Sequence, residues 1–531
     1  MDETAETVLR REAGVAHAAG IIALGNIASR VLGLVRDTVK ADLFGATGQL
    51  SAFEVAAAVP TMIYDLVVGG MSNGALVPVL SDYAAPERRA ELWHLLSTLF
   101  ALVTIVLSAF VLLVEVLAPQ TVWLLGGGLT PSLQVLAARL LRICVPAVLF
   151  INLAGVVSGT LYALKRFTFP AFTAAISNAA TVVTALLLSR QWGVASLAIG
   201  LLTGSILQVV LQVPALRDAR WRFTLDLSHP ALRRILHLYV PILLGLVVDQ
   251  LAVALSYNLA SRTGDQSINW MKYSATLIQF PLGLVATAVS IAILPTLSQH
   301  ATDGQPGAFK STLAQGLRLV LALTIPATVG LWVLATPIVA LVFEHGDFSP
   351  VDTLATVAAL RCHLVGLIFA AVDQPLIFAF YARKDTWTPA MVGVVTVILY
   401  VILALSQALL ATLTLNGLIL ANSLKWAAHA LIMLVLLRRG VGGLQGHRVW
   451  GLVLKAAIAS AAMGAVVYLA TRALTPIAPA GLMGEVTLVG AGGLLGAIIY
   501  GVLAIVLRMQ EVGLLGQMLL EKGRRLTGDR R

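Results

Sequence analysis

Leu161-Tyr162-Ala163-Leu164-Lys165 runs on to Pro170-Ala171, and Phe380-Tyr381-Ala382-Arg383-Lys384 runs on to Pro389-Ala390. The string Tyr-Ala-x-Lys-x-x-x-x-Pro-Ala thus occurs twice, about 219 positions apart, and such a self-match is the signature of a duplicated unit. The same shift relates Pro131 to Pro350 and Arg142 to Arg361. A near match pairs Val77-Pro78-Val79-Leu80-Ser81 with Leu294-Pro295-Thr296-Leu297-Ser298. One such pair could arise by chance, but an ordered series does not. In a membrane protein, a duplicated half points to a transporter whose site lies between the copies.

The chain is a membrane protein by composition. Its 531 residues are 58% hydrophobic and 12% charged, with mean hydropathy +0.90. A soluble domain carries about 25% charged residues. Apolar runs at 95–117, 171–188, 319–342 and 391–413 approach or exceed the roughly 20 residues that cross a bilayer core. An outer-membrane barrel would instead show short alternating segments. The expected fold class is therefore all-α and polytopic, with about fourteen spans, the first near 16–43 and the last near 482–508. The N-terminus lacks a cleavage-site pattern after a short apolar core, so no removable leader is expected.

Basic residues set the orientation. Alternate connections hold Arg10-Arg11, Arg88-Arg89, Lys165-Arg166, the stretch 217–234, Lys310, Arg383-Lys384, Arg438-Arg439 with Arg448, and the tail from Arg508 to Arg531. The intervening connections hold little beyond Arg190, Arg262 and Arg472. This bias places both termini in the cytoplasm, which requires an even number of spans. The net charge of +10 is spread over span ends, a pattern that suits anionic lipid and not nucleic acid. The organisation expected is a first lobe at 1–218, an inter-lobe linker at 219–234, a second lobe at 235–440, and two further spans with a basic tail at 441–531. Each copy has six spans, so both enter the membrane in the same sense, related by an axis along its normal. Trp221 and Phe223 among the linker arginines suggest a short amphipathic stretch on the inner surface.

Charges within a span are costly and are functional candidates by default. The densest group is Asn26, Arg30, Gly33, Arg36, Asp37, Lys40 and Asp42 in the first span. Asn26, Arg30, Gly33 and Asp37 follow helical spacing and form one stripe, with Arg36 and Lys40 on a neighbouring row. Such a face cannot rest on lipid and should line a wet cavity, where arginine forks suit phosphate oxygens. A structural account competes, in which Arg30 and Asp37 pair with each other or with neighbouring helices. Lys40 and Asp42 are placed near the outer surface. Weaker candidates are Glu54, Asp65, Asp249, Asp373, the matched Arg142 and Arg361, and the pair Lys425 and His429 one turn apart.

Other motifs carry less. Gly70-Met71-Ser72-Asn73-Gly74 matches the serine-hydrolase elbow, but within an apolar span it reads as close packing or a bend. Gly155-x-x-x-Gly159 and Gly200-x-x-x-Gly204 read as close helix packing. There is no phosphate loop for nucleotide hydrolysis, and the histidines lack metal-ligand spacing. No catalytic residues, cofactor or metal are expected. Any work should come from a Na+ or H+ gradient, the membrane potential or substrate flux. Cys144 and Cys362 read as buried free thiols within apolar helices.

Ser29-Arg30-Val31-Leu32-Gly33-Leu34-Val35-Arg36-Asp37, followed by Phe44-Gly45-Ala46, resembles the MurJ/MviN family, the lipid II flippases of the MOP exporter superfamily. Pro60, Val77 to Tyr83, Phe280-Pro281-Leu282-Gly283, Leu294 to Ser298 and Tyr381-Ala382-Arg383-Lys384-Asp385 extend the resemblance over nearly the whole chain. It implies two six-helix lobes around a V-shaped cavity with alternating access in the bacterial cytoplasmic membrane. The cargo implied is an undecaprenyl-diphosphate-linked peptidoglycan precursor. Family arginines thought to receive the diphosphate match Arg30 and Arg36, and the adjacent acid matches Asp37. Where members commonly carry further arginines this chain has Tyr64 and Thr276, and Gly69 replaces an acid. Lys272, one turn before Thr276, is a candidate substitute. Asp249 and Asp385 are candidates for the cation that some members hold, although for Asp385 a cap at the inner end of span eleven is the more expected role. Partners implied are the glycolipid, membrane lipids and other cell-wall synthesis proteins. Alternatives are export of another polyprenyl-linked glycan or an amphipathic small molecule, and a non-transporting scaffold.

Overall fold

The computed structural model describes residues 2–69, 75–217, 219, 224–443, 448–479, 481–509 and 511. The glycine motif at 70–74, the linker aromatics Trp221 and Phe223, and the tail beyond 511 lie outside the described residues. All regular structure among the described residues is helical. Among the described residues, twelve helices are long and apolar enough to cross a membrane, and a bent pair, Pro230–Val240 with Gly245–Ser261, would make thirteen. The first helix, with Arg30, Arg36, Asp37, Lys40 and Asp42 in its C-terminal half, is not among them, so the expected count of fourteen is not reached by this criterion.

Packing divides the chain into two compact units, Met1–Asn269 and Trp270–Arg531. The first contains α1 (Asp2–Phe44), α2 (Gly48–Tyr64), α3 (Val77–Ser81), α4 (Arg89–Val116), α5 (Ala118–Gly126) and α6 (Pro131–Cys144). It continues with α7 (Ala147–Ala163), α8 (Thr168–Ala171), α9 (Thr173–Trp192), α10 (Ala195–Gln212) and α11 (Pro230–Ser261). The boundary falls inside α12 (Ser267–Pro281). The second unit holds α13 (Ala288–Thr302), α14 (Pro306–Val333), α15 (Ala335–Phe343), α16 (Pro350–Ala382), α17 (Trp387–Leu409), α18 (Leu415–Val441), α19 (Val449–Leu474) and α20 (Leu482–Val506). The packing boundary therefore differs from the duplication boundary at 235: α11, counted with the second copy by sequence, packs against α5 of the first unit.

The duplicated string encodes a helix stop. Lys165 and Lys384 both adopt the left-handed conformation, with φ of 58° and 62°. In the first copy the Arg166 amide donates to Leu161 and the Lys165 amide to Tyr162; in the second, Asp385 donates to Phe380 and Lys384 to Tyr381. This nested pair of bonds satisfies the last carbonyls of α7 and α16, with lysine where glycine is the usual residue. The span ending at each stop covers 33 residues, Pro131–Ala163 and Pro350–Ala382. Each begins on a proline, whose missing amide costs nothing at a helix start. The copies differ at Pro146, where the first span breaks into α6 and α7.

In the first unit, α9 and α10 approach closely through glycine. A Cβ on Gly200 would lie 2.9 Å from Thr181, and one on Gly204 would lie 2.9 Å from Ser177. This is the small-residue packing that brings membrane helices together when lipid supplies no hydrophobic drive. In α2, Leu50 through Pro60 are all buried. In the second unit the Tyr500 hydroxyl of α20 donates to the Ala322 carbonyl of α14 at 2.5 Å. Cys144 and Cys362 are free thiols, the first buried and the second half-buried.

Candidate functional site

The charged stripe of α1 leads into a chain of ion pairs on the neighbouring row. Arg36 donates from Nε and Nη2 to Asp37 Oδ1 at 3.0 and 2.9 Å. Its Nη1 donates to Asn178 Oδ1 of α9 at 3.0 Å, and Asn178 Nδ2 donates in turn to the Ser29 carbonyl at 3.1 Å. Lys40 reaches Asp37 Oδ1 at 3.0 Å and Glu54 Oε1 of α2 at 2.6 Å. The order is Arg36, Asp37, Lys40, Glu54, with alternating charge along its length. The side chain of Arg36 is 36% exposed, while those of Asp37, Lys40 and Glu54 are 6%, 7% and 4% exposed.

Lys40 is thus not a surface residue, as its place near the span end suggests. α1 continues to Phe44, and Lys40 faces the buried helix α2. A buried charge persists only when paired and hydrogen-bonded, and Asp37 and Glu54 supply both. Asn26 is exposed on α1 and Arg30 half-buried. Gly33 lies beside Asn178, whose Nδ2 is 3.5 Å from where a Cβ would sit. Asn178 is absent from the sequence-based candidates. Its signal is a single amide in the apolar run 171–188, which calls for a partner in a medium that offers no water.

The other candidates disperse. Tyr64 ends α2, half-buried, and the chain continues into a π-helical turn, Asp65–Gly69. Asp249 is exposed on α11 of the first unit; Lys272 and Thr276 are half-buried on α12 within the second. Arg142 and Arg361, matched by the repeat, make separate local contacts. Arg142 donates to the Glu115 carbonyl at 3.3 Å, and Arg361 lies 5.8 Å from the Trp332 ring centroid. In the second unit the structure joins two residues that sequence lists apart: His429 Nδ1 and Asp373 Oδ1 are 2.7 Å apart, bridging α18 and α16. Lys425 Nζ lies 5.9 Å from the Tyr400 ring centroid.

Asp385 sits just before α17 and accepts from the Thr388 amide at 2.9 Å and the Thr388 hydroxyl at 2.7 Å. Burial pushes its carboxyl up, but these bonds, the Trp387 amide and the Arg383 charge together hold it below the ordinary aspartate value. This is the geometry of a helix cap, with one hydrogen bond on each carboxylate oxygen. Among the described residues no group of three or more His, Cys, Asp or Glu converges as a metal cage.

The arrangement on α1 is a guanidinium held from two sides, by Asp37 and by Asn178. The family model described as lipid II flippase MurJ matches residues 40–482, so the stripe from Asn26 to Asp37 lies just ahead of the matched stretch. A probable lipid II flippase MurJ of Vibrio cholerae is 32% identical over 406 residues, covering 72% of this chain and 75% of its own. The lipid II flippase MurJ of Burkholderia cenocepacia is 29% identical over 376 residues, covering 69% and 73%. A solved structure of lipid II flippase MurJ in an inward closed conformation superimposes with TM-score 0.77 at 27% identity, over 92% of this chain and 98% of that one. An inward-facing multidrug-resistance MATE transporter of the MOP superfamily shares the fold, with TM-score 0.66 at 15% identity over 78% and 95%. With a family match across most of its length and a relative near one-third identical, this chain belongs to the MurJ family of lipid II flippases.

Proposed function

We propose that this chain carries lipid II, a polyprenyl-diphosphate-linked peptidoglycan precursor, from the inner to the outer leaflet of the bacterial cytoplasmic membrane by alternating access. Both termini then face the cytoplasm, as the basic connections favour. The observation that carries the reading is the Arg36 guanidinium, oriented by Asp37 and Asn178 yet about one-third exposed. A diphosphate crossing the hydrocarbon needs a compensating cation, and a planar fork already aimed loses little freedom on meeting phosphate oxygens. Arg30, half-buried two turns earlier on α1, adds a second positive charge, and the exposed Asn26 offers amide bonds to the headgroup. Asp37 orients the arginine and does not itself meet the anion. Lys272 supplies a further cation where Thr276 departs from the family pattern. Residues act here by binding and positioning, with no bond made or broken in the cargo.

The ionic gradient or the membrane potential supplies the work in this reading. Of the two acids considered for a coupling cation, Asp249 is the better placed, since Asp385 is committed to Thr388. Tyr64 and Thr276, standing where relatives commonly have arginine, favour a second reading in which the same fold carries another polyprenyl-linked glycan.

The test is complementation of a flippase-depleted strain, with lipid II accessibility at the outer face as the readout. The native chain should restore both growth and accessibility, and Arg36→Ala should restore neither. Normal growth with Arg36→Ala sinks the diphosphate role. Growth failure of the native chain, with intact folding and membrane insertion, points to the second cargo.

A further inference from the structure

A cargo that takes Arg36 must draw it at least partly from Asp37, and Asp37 is buried. Stripped of its cation, a buried carboxylate would oppose that exchange at full strength. The structure places a second cation on the same oxygen. Asp37 Oδ1 takes Nε and Nη2 of Arg36 at 3.0 and 2.9 Å and also Nζ of Lys40 at 3.0 Å. Lys40 is held in turn by Glu54 at 2.6 Å, and Glu54 lies in a run of α2 where every residue from Leu50 to Pro60 is buried. Lys40 therefore cannot turn outward to meet cargo itself.

Stability alone gives no reason for this pair. An apolar pair of similar volume in a buried site is commonly as stable as an ion pair or more so, because neither partner need be desolvated. The pair sits directly behind the one guanidinium that the transport reading needs to be both fixed and releasable. We infer that Lys40, anchored by Glu54, is a positioning residue for cargo binding: it stays on Asp37 while Arg36 exchanges that carboxylate for the phosphate oxygens. This rests on the reading that Arg36 receives the diphosphate.

The hand-over keeps each buried charge compensated. Before binding, Asp37 is shared between Arg36 and Lys40. With cargo bound, Arg36 turns to the phosphate, and Asp37 and Glu54 flank Lys40.

The experiment uses the full chain in lipid nanodiscs and farnesyl diphosphate as the probe, with binding and thermal unfolding measured on each variant. Lys40→Met with Glu54→Met removes both buried charges together, so neither is left alone. The double variant should unfold at or above the native midpoint and bind the probe tenfold or more weakly. Adding Asp37→Asn to it removes the carboxylate that holds Arg36 back and should return most of the lost affinity. Lys40→Arg alone should bind within threefold of native. Arg36→Ala is the control for the underlying reading: if it binds the probe as the native chain does, the diphosphate role itself fails. If Arg36→Ala weakens binding but the double variant binds normally, the role of Lys40 is overturned. It is overturned equally if the double variant is weak and Asp37→Asn does not rescue it. Should the double variant not fold, Asp37→Asn in the Lys40→Arg background decides by the same comparison: affinity rises above that of Lys40→Arg if release from Asp37 limits binding, and an unchanged value refutes it.

Discussion

Replacing Asn178 with leucine removes the amide that ties Arg36 to α9 while nearly conserving volume. Asn178 accepts from Arg36 Nη1 at 3.0 Å and donates to the Ser29 carbonyl at 3.1 Å. A hydrogen bond to a charged group contributes about 1.5 kcal/mol, and a polar contact between membrane helices about 0.6 kcal/mol. Ser29 lies within α1, where its carbonyl keeps its helical partner, so no orphaned acceptor adds to the loss. The expected destabilisation is about 2 kcal/mol, the sum of the two contacts. Arg36 remains held by Asp37 through Nε and Nη2, so its guanidinium gains rotational freedom and is not released. Affinity for farnesyl diphosphate should fall about fivefold, which is roughly 1 kcal/mol. The assay pairs denaturant unfolding of the purified chain with a binding titration in nanodiscs. Asn178→Asp is the companion: it keeps an acceptor for Arg36 but loses the donor to Ser29 and sets a negative charge beside the anion's path. It should bind the probe more weakly than Asn178→Leu. Unchanged unfolding and unchanged binding in Asn178→Leu would refute the placement of Arg36 by α9.

The helix cap at Asp385 gives a pH dependence whose sign follows from its depressed carboxyl. Its contribution is complete above the ordinary aspartate value of about 3.9 and is lost as pH falls through the lower folded value. Asp385→Ala should cost about 1 kcal/mol at neutral pH and abolish that acid sensitivity, read from unfolding midpoints between about pH 2 and 5, the window in which the depressed carboxylate gains its proton. Lys384→Gly relieves a left-handed lysine and should stabilise by about 0.5 kcal/mol after the added freedom of glycine in the unfolded chain is counted, with Lys165→Gly behaving alike. Gly204→Val forces a side chain where a Cβ would already lie 2.9 Å from Ser177, and should cost about 2 kcal/mol, seen as a lowered unfolding midpoint and reduced protein in the membrane.

Much of the architecture is legible along the chain. Apolar length marks the spans because a bilayer demands it, and the repeated Tyr-Ala-x-Lys string marks two stops with the same backbone bonds. Glycines four apart on α10 mark a close crossing because only a missing side chain permits one. The stripe from Asn26 to Asp37 is visible because helical spacing alone decides which residues share a face. The first span's polarity also explains why a simple count by apolarity falls short. Other readings needed neighbours that are far away in sequence. Asn178 stands 142 positions from Arg36, and His429 stands 56 from Asp373. Lys40 looks like a surface residue until α2 is laid against α1 with Glu54 turned toward it. The assignment of α11 to the first packing unit is equally invisible to a duplication boundary, since repeat copies record ancestry and packing records contact.

The sequence by itself determined the membrane class, the duplication, the positions where helices stop and the helix that carries the charge. These depend on composition, period and local backbone bonds, all properties of residues near one another in the chain. Tertiary structure decided which charges are buried together and which lie at the edge: Asp37, Lys40 and Glu54 form a compensated buried row, with Arg36 paired at its exposed end. The reason is physical. In a medium of low dielectric, the cost of a charge is set by what lies within a few ångströms of it, and the rotation and depth of neighbouring helices choose those neighbours.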